Sequence, residues 1–410
     1  MPPVAPSSCL ALSTWSLGVA LIVSTATSAN GGGHLTTTLA RARTGTSWTG
    51  GEVASSPPPP PVTAKIVSRQ TLWKPTKDEK LLRIPALAAL NATHVIAFAE
   101  VHVNPDNHIV GKASTDGGAS WGREQVIAAE NQAKIGNPAP VVVGDGTILL
   151  VYCRNNLRVL VRNITLDDRG TLVVSPMADI TANATAGLPP YTFVASGPPG
   201  GIRSLAGRIV VAMDFVPNAP EAEDLKSTQS SRSRSFTITS DDTGQTWHHS
   251  PPIGISGPFS TSENQVASVD DDLATIITTA RVGNTTPVAS NFRAVAVSTD
   301  QGRSFSDFKE TNLPDPTCEG STLGHAGNFY VSAGLSHTPG NRSNVSLSVC
   351  ESTCIASGYL NWRPLVSVDP GLSSYSSLAA VGRDKLLLLY EVGGGEEITE
   401  LSLVSIVLAT

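Results

Sequence analysis

Charge is scarce in this chain. Its 410 residues include 28 Lys or Arg and 34 Asp or Glu, so charged side chains make up 15% where about 25% is usual, which excludes a disordered protein or a coiled coil. A basic excess is missing as well, since the formal charge is -6. Such a chain has little to neutralise a phosphate backbone or to hold it on an anionic bilayer, so neither nucleic acid nor stable membrane association is expected. Helical periodicity is also wanting: apolar residues do not recur at helical spacing over any long stretch. With 36 Gly and 29 Pro available for turns, an all-β fold is the expectation. Metal and phosphate motifs are lacking too. There is no His-Glu-x-x-His or calcium-loop pattern, and Gly393-Gly-Gly395 does not lead into the Lys and Ser/Thr of a phosphate loop. No cofactor and no metal are expected; Asp270-Asp-Asp272 reads as a turn and Ser230 to Ser235 as a solvated loop.

Cysteines are few. Of the five, Cys9 stands in an uncharged stretch from Cys9 to Ala29 whose apolar part, 10–23, is followed by small residues, the pattern of a secretory signal cleaved after Ala29. The first eight residues carry no Lys or Arg, so an uncleaved anchor is the alternative. Export would place the remaining Cys153, Cys318, Cys350 and Cys354 in an oxidising compartment, an even number compatible with two disulfides in any of three pairings. It would also make glycan acceptors of the sequons at Asn91, Asn163, Asn183, Asn284, Asn341 and Asn344. Cys350 and Cys354 lack a second Cys or His cluster nearby, which argues against zinc. Residues 30–64, with Gly31-Gly-Gly33 and Pro57 to Pro61, have no apolar pattern and read as a flexible leader ending in a stiff spacer. Residues 65–410 are taken as one domain.

That domain reads as short apolar strands, such as GTILLVYC at 146–153, GRIVVAMDF at 207–215 and KLLLLYEV at 385–392. Among them an eight-residue pattern recurs: STDGGASW at 114–121, SDDTGQTW at 240–247 and STDQGRSF at 298–305. Its physical logic is local. The Asp accepts backbone N–H bonds inside a tight turn, the Gly takes the unusual backbone angles, and the aromatic packs under its own hairpin. Degenerate copies stand at Asp167 to Gly170 and at Ser348 to Trp362, where Cys350 takes the Asp position. The intervals approximate one four-stranded propeller blade. Five such hairpins plus a blade closed by the chain ends, with 401–408 as closing strand, give a six-bladed β-propeller as the expected fold.

These repeats and the segments between them resemble the sialidase (neuraminidase) family of six-bladed propellers marked by "Asp boxes". The likeness runs over nearly all of residues 66–408. LLRIPALAAL at 81–90 resembles the segment whose arginine, here Arg83, is the first of three gripping the substrate carboxylate. AFAE at 97–100 also matches, and the resemblance implies the general acid a few residues on, at Asp106. ENQVASV at 263–269 and TTARVGN at 278–284 are similar to the segments of the glutamate that partners the nucleophile and of the second arginine, implying Glu263 and Arg281. SHTPGNRSNVSLSV at 336–349 implies the third arginine, Arg342, and SSYSSLAAVGRDKLLLLYE at 373–391 implies the nucleophile Tyr375 and the arginine-orienting Glu391. One departure stands out. The family often has Arg two residues after the glutamate of the Phe-Ala-Glu segment; here that position is His102, a candidate substrate contact.

The implied substrate is a terminal α-linked nonulosonic acid, either N-acetylneuraminic acid or its deaminated analogue KDN, on a glycan. It carries a carboxylate on the carbon under attack. Guanidiniums hold that group through bidentate bonds, and a neutral tyrosine approaches where a carboxylate would be repelled. Full ionisation of a phenol at pH 5 would cost about 7 kcal/mol, so a base, Glu263, must share it. The resemblance therefore implies a secreted retaining exo-sialidase acting on sialylated or KDN-bearing glycans. A sialic-acid-binding lectin that has lost turnover and a trans-sialidase are the alternatives.

Overall fold

A computed structural model describes residues 61–409 apart from 77–80, 104–105, 145, 219–231, 258, 285–291, 352–360 and 395–396. The expected signal and all but the end of the expected leader lie outside the described residues, as does Cys354. The all-β expectation is borne out. Strand β1 (Thr63–Trp73) begins two residues before the expected domain boundary and is followed by four antiparallel strands paired in chain order, β2 (Leu81–Ala89), β3 (Val95–Val103), β4 (Asp106–Ser114) and β5 (Gln125–Ala128). The next sheet holds β6 (Ile135–Gly144), β7 (Thr147–Arg154) and β8 (Arg158–Leu166), with β9 (Leu172–Val174) and β10 (Ala178–Asp179) both pairing with β8. A single helical turn, α1 (Thr181–Ala184), leads to β11 (Tyr191–Arg203), β12 (Ile209–Pro217), β13 (Arg234–Ser240) and β14 (His248–His249). A further four-stranded sheet comprises β15 (Phe259–Ser268), β16 (Ile276–Asn284), β17 (Phe292–Ser298) and β18 (Lys309–Pro314).

The last sheet has seven strands because one is shared. It runs from β19 (Ser321–His325), β20 (Asn328–Gly334) and β21 (Ser343–Cys350) to β22 (Arg363–Ala380), then β23 (Lys385–Val392), β24 (Glu400–Ala409) and finally β1. The first half of β22 pairs with β21, from Arg363 opposite Val349 to Leu372 opposite Ser343, and the second half pairs with β23 from Ser373 to Ala380. Residues 401–408 thus lie in a strand that pairs with β23 on one side and β1 on the other.

Antiparallel strands usually alternate apolar and polar because one face is wet. Here both faces are covered. In β23, six consecutive residues are buried, with Leu387 and Leu389 packed beside Leu87, Ala97 and Val101 on one side and Leu386, Leu388 and Tyr390 beside Val345, Leu347 and Val349 on the other. In β7, Ile148, Leu150 and Tyr152 join Ile96 and Phe98, whereas Leu149 and Val151 join Val211 and Phe236. Sheets stacked face to face explain why the strands read as continuous apolar runs.

The three full repeats form the turn expected of them, each just after the third strand of its group, whereas most of the degenerate copy from Ser348 to Trp362 lies outside the described residues. Asp116 Oδ1 accepts the Ser120 amide at 2.8 Å, Ser114 Oγ accepts the Gly118 amide at 2.9 Å, and Trp121 Nε1 donates to the Gly118 carbonyl at 3.2 Å. Asp242 and Asp300 repeat the amide bond, to Thr246 at 2.8 Å and Ser304 at 2.9 Å. Gly118, Gly244 and Gly302 sit at φ of 86°, 91° and 81°, where a Cβ would be strained.

The strands β2, β6, β11, β15, β19 and the second half of β22 are edge strands of their groups, and each touches the next, with β22 touching β2. Their unpaired amides are stitched by side chains from the neighbouring group: Leu87 N to Ser377 Oγ and Leu378 N to Ser321 Oγ, both at 2.9 Å, and Thr322 N to Gln265 Oε1. The later parts of all six strands line a cavity of about 480 Å³. The earlier parts carry the candidate site.

The cysteines correct one expectation. Cys153 and Cys318 are free, buried thiols, so two disulfides do not form among the four cysteines. Cys153 Sγ instead accepts the Ser196 amide at 3.2 Å, acting as one of the inter-strand stitches. Cys350 is disulfide-bonded.

Candidate active site

Edge strands must bend where they carry polar groups into the centre, and they do so at irregularities in pairing. Register shifts lie between Arg83 and Ala86 in β2, between Ser262 and Asn264 in β15, and between Ser373 and Ser376 in β22. Ile84 and Glu263 accordingly adopt positive φ, 51° and 30°, outside the strand region. These bends aim Arg83, Glu263 and Tyr375 at one another.

Glu391 is 0% exposed and anchors the group. Its Oε1 accepts from Arg83 Nε at 3.1 Å and Ile84 N at 2.9 Å; its Oε2 accepts from Arg83 Nη2 and Tyr375 N, both at 3.2 Å. Burial works against the Arg83 charge, but Glu391 outweighs it and raises the guanidinium above its ordinary pKa. Arg83 lies over the Tyr375 ring, 4.8 Å from its centroid, and Arg342 lies over the same ring at 5.6 Å. Arg342, just before β21, also donates from Nη2 to the Thr317 carbonyl at 3.4 Å.

The Tyr375 hydroxyl donates a short hydrogen bond to Glu263 Oε1. Arg281 Nη1 donates to Glu263 Oε2 at 2.6 Å and to the phenol oxygen at 3.2 Å. Burial would raise the Glu263 carboxyl, yet Arg281 and the Tyr375 hydrogen bond more than reverse it and hold it below its ordinary value. Burial, then Glu263, push the Tyr375 phenol well above its ordinary value against the pull of the three arginines. The resting pair is therefore a phenol beside a carboxylate, a proton donor already aligned on its acceptor.

Six of the sequence-derived residues are thus brought together: Arg83, Glu263, Arg281, Arg342, Tyr375 and Glu391. The other two stand apart. His102 and Asp106 occupy the β3–β4 hairpin, in which Val103 pairs with Asp106 and His102 pairs with Leu81, two residues from the partner of Arg83. No hydrogen bond among the described residues joins either to the arginine cluster. Asp106 Oδ1 is buried without a partner among the described residues, and His102 Nε2 is 2.8 Å from Glu100 Oε2.

Four buried groups escaped the sequence reading. Glu100, inside the AFAE segment, also accepts the Asn137 amide, and Gly136 has no room for a Cβ against that carboxylate. Asp214 and Glu319 are buried acids that burial pushes well above the ordinary carboxyl range, and Cys318, pushed up to about 12 by burial, lies within the field of Arg342 and Arg281. Only the position of Glu100 within a motif-like segment gave any signal; an isolated Asp, Glu or Cys carries none. Among the described residues no cluster of metal-ligating side chains occurs.

Comparison with known proteins agrees with this geometry. The family described as "BNR repeat-like domain" matches residues 99–386. A curated sialidase of Micromonospora viridifaciens is 26% identical over 348 residues, covering 76% of this chain and 50% of the relative, so the chain spans about half the length of the curated relative it matches. Among solved structures, a Hadza microbial sialidase is similar with a TM-score of 0.64 at 20% identity, covering 80% of this chain and 66% of that one. The Trypanosoma rangeli sialidase in complex with sialic acid follows at a TM-score of 0.60 and 17% identity, covering 83% and 58%. The matched span takes in four of the six clustered residues and covers more than half of the chain, so the chain belongs to the family of the BNR repeat-like domain, and its all-β fold is that of the solved sialidases.

Proposed function

We propose that this chain is a retaining exo-sialidase that releases terminal α-linked sialic acids through a covalent intermediate on Tyr375. The observation that carries the reading is the convergence of Arg83, Arg281 and Arg342 on one tyrosine whose hydroxyl rests on Glu263. Three guanidiniums around a phenol suit a substrate whose carboxylate sits on the reacting carbon. In the first displacement the Tyr375 oxygen bonds to the anomeric carbon, its proton passes to Glu263, and the leaving glycosidic oxygen takes a proton from Asp106. In the second, water attacks that carbon and gives its proton to Asp106, while the Tyr375 oxygen departs and recovers its proton from Glu263. Two displacements give net retention. The Oδ1 of Asp106, unpartnered among the described residues, suits a group whose partner is the substrate.

The six strand groups, with β22 shared, support a six-bladed propeller, and the uncharged stretch from Cys9 to Ala29 supports export. Preference between N-acetylneuraminic acid and KDN is assigned to the hairpin of His102, whose Nε2 lies 2.8 Å from Glu100 Oε2. The test is release of a fluorescent aglycone from matched α-linked substrates of both sugars, with Tyr375→Phe as control. Turnover lost in the variant establishes the mechanism, and the substrate ratio sets the preference. Binding without turnover in the wild type would make the chain a lectin.

A further inference from the structure

Tyr375 falls in the register shift between β22 and β23, and the Ser376 amide, at the end of that shift, bonds a side chain of the neighbouring strand group, as does the amide of Leu378 two residues on. The Tyr375 and Ser376 amides are each taken by a carboxyl from a different element: Tyr375 N by Glu391 of β23 at 3.2 Å, and Ser376 N by Glu319 Oε2 at 2.8 Å. Glu319 is 1% exposed and belongs to the connection from β18 to β19.

That connection is braced on all sides. Arg293, itself 1% exposed, donates from Nη2 to the Cys318 carbonyl at 3.2 Å, and Asp315 Oδ1 accepts the Cys318 amide at 3.0 Å. A Cβ on Gly320 would stand 2.7 Å from Arg293 Nη1. The Pro316 carbonyl takes the Gly340 amide at 2.9 Å, and the Thr317 carbonyl takes Arg342 Nη2 at 3.4 Å. One short segment therefore meets both an arginine of the site and the backbone that carries the tyrosine.

We propose that Glu319 is a positioning residue for Tyr375: by accepting the Ser376 amide hydrogen it fixes the bulged backbone so that the phenol stays aligned on Glu263. The inference rests on the sialidase reading and assigns the site a residue that never touches substrate. Burial pushes the Glu319 carboxyl well above its ordinary range and Glu263 and Glu391 push it further, against the Ser376 amide and Arg293. Burial thus favours the neutral form of the group that holds the amide. Its Oε1 has no partner among the described residues. A glutamine reproduces both the shape and the neutrality of that acid, whereas an aspartate falls short of the amide by one methylene.

The experiment measures kcat, KM and Tm of the full chain on an α-sialoside with a fluorescent aglycone for wild type, Glu319→Gln, Glu319→Asp and Glu319→Ala. Glu319→Gln keeps kcat within about threefold. Glu319→Asp, folded by its Tm, loses about 10²-fold in kcat through misplacement, with KM little changed because Arg83, Arg281 and Arg342 are intact. Glu319→Ala falls at least as far, and if it does not fold the Gln and Asp pair still decides. A folded Glu319→Asp with wild-type kcat overturns the proposal, as does a Glu319→Gln as slow as Glu319→Asp, which would show that the acid's proton rather than its reach matters. An inert wild type removes the sialidase reading and the inference together; an active wild type with indifferent variants removes the inference alone.

Discussion

Replacing Glu391 by Gln perturbs the most enclosed group of the site. Its two oxygens accept four hydrogen bonds, from Arg83 Nε and Nη2, Ile84 N and Tyr375 N, at 2.9–3.2 Å. Glutamine offers one acceptor oxygen, so its NH2 must face two of those donors, and Arg83 loses its counter-charge. Removing one partner of a buried ion pair costs about 3–5 kcal/mol. The Arg83 side chain is 17% exposed, so water screens part of the loss and about 3 kcal/mol is expected. At roughly 2 °C per kcal/mol for a large domain, Tm should fall by about 6 °C in scanning calorimetry at pH 7. The same change frees Arg83 from its orientation, so KM for a sialoside should rise by about tenfold or more, the loss of one charge-assisted contact. A Glu391→Gln protein melting within about 1 °C of wild type would refute the argument, because it would mean that the buried carboxylate is not what holds Arg83, Ile84 and Tyr375 together.

Glu263→Gln removes the proton acceptor of the phenol and should lower kcat by about 10²–10⁴-fold with a smaller change in KM; an equal loss in binding of a sialic acid analogue would contradict the assignment. Asp116 and Asp242, each lowered to about 2 from 3.8 by hydrogen bonds within their turns, contribute stability that is fully present above pH 3.8 and lost as pH falls through about 2. Asn at both positions should flatten that limb of the acid melting curve, and an unchanged limb would remove these turns as its cause. Cys153 and Cys318, buried and each raised to about 12 by burial, should resist iodoacetamide in the native protein at pH 8 and react after denaturation without reductant. Labelling of either in the native state would contradict their burial.

Local signals were legible wherever a segment's conformation depends on its own residues. The Ser-x-Asp-x-Gly turns form from hydrogen bonds within eight residues, so their pattern survives in the linear chain and placed the turns of Asp116, Asp242 and Asp300. Unbroken apolar runs such as Leu386 to Tyr390 announced strands, although only the stacking of sheets on both sides explains why they do not alternate. The arginines, Glu263, Tyr375 and Glu391 were legible only as a set in family-like segments; Arg83 and Glu391 stand 308 residues apart, and nothing local marks either.

The sequence by itself therefore determined the all-β class and the turns, because those rest on residue type and short-range order, and its resemblance to family segments supplied the candidate nucleophile and its charged partners. Tertiary structure alone decided the sharing of β22, the free state of Cys153 and Cys318, and the grip of Glu319 and Glu391 on consecutive amides. Each of these depends on what distant edges and buried carboxyls find beside them once the sheets stack, and a linear pattern holds no record of an unpaired amide or of the group that satisfies it.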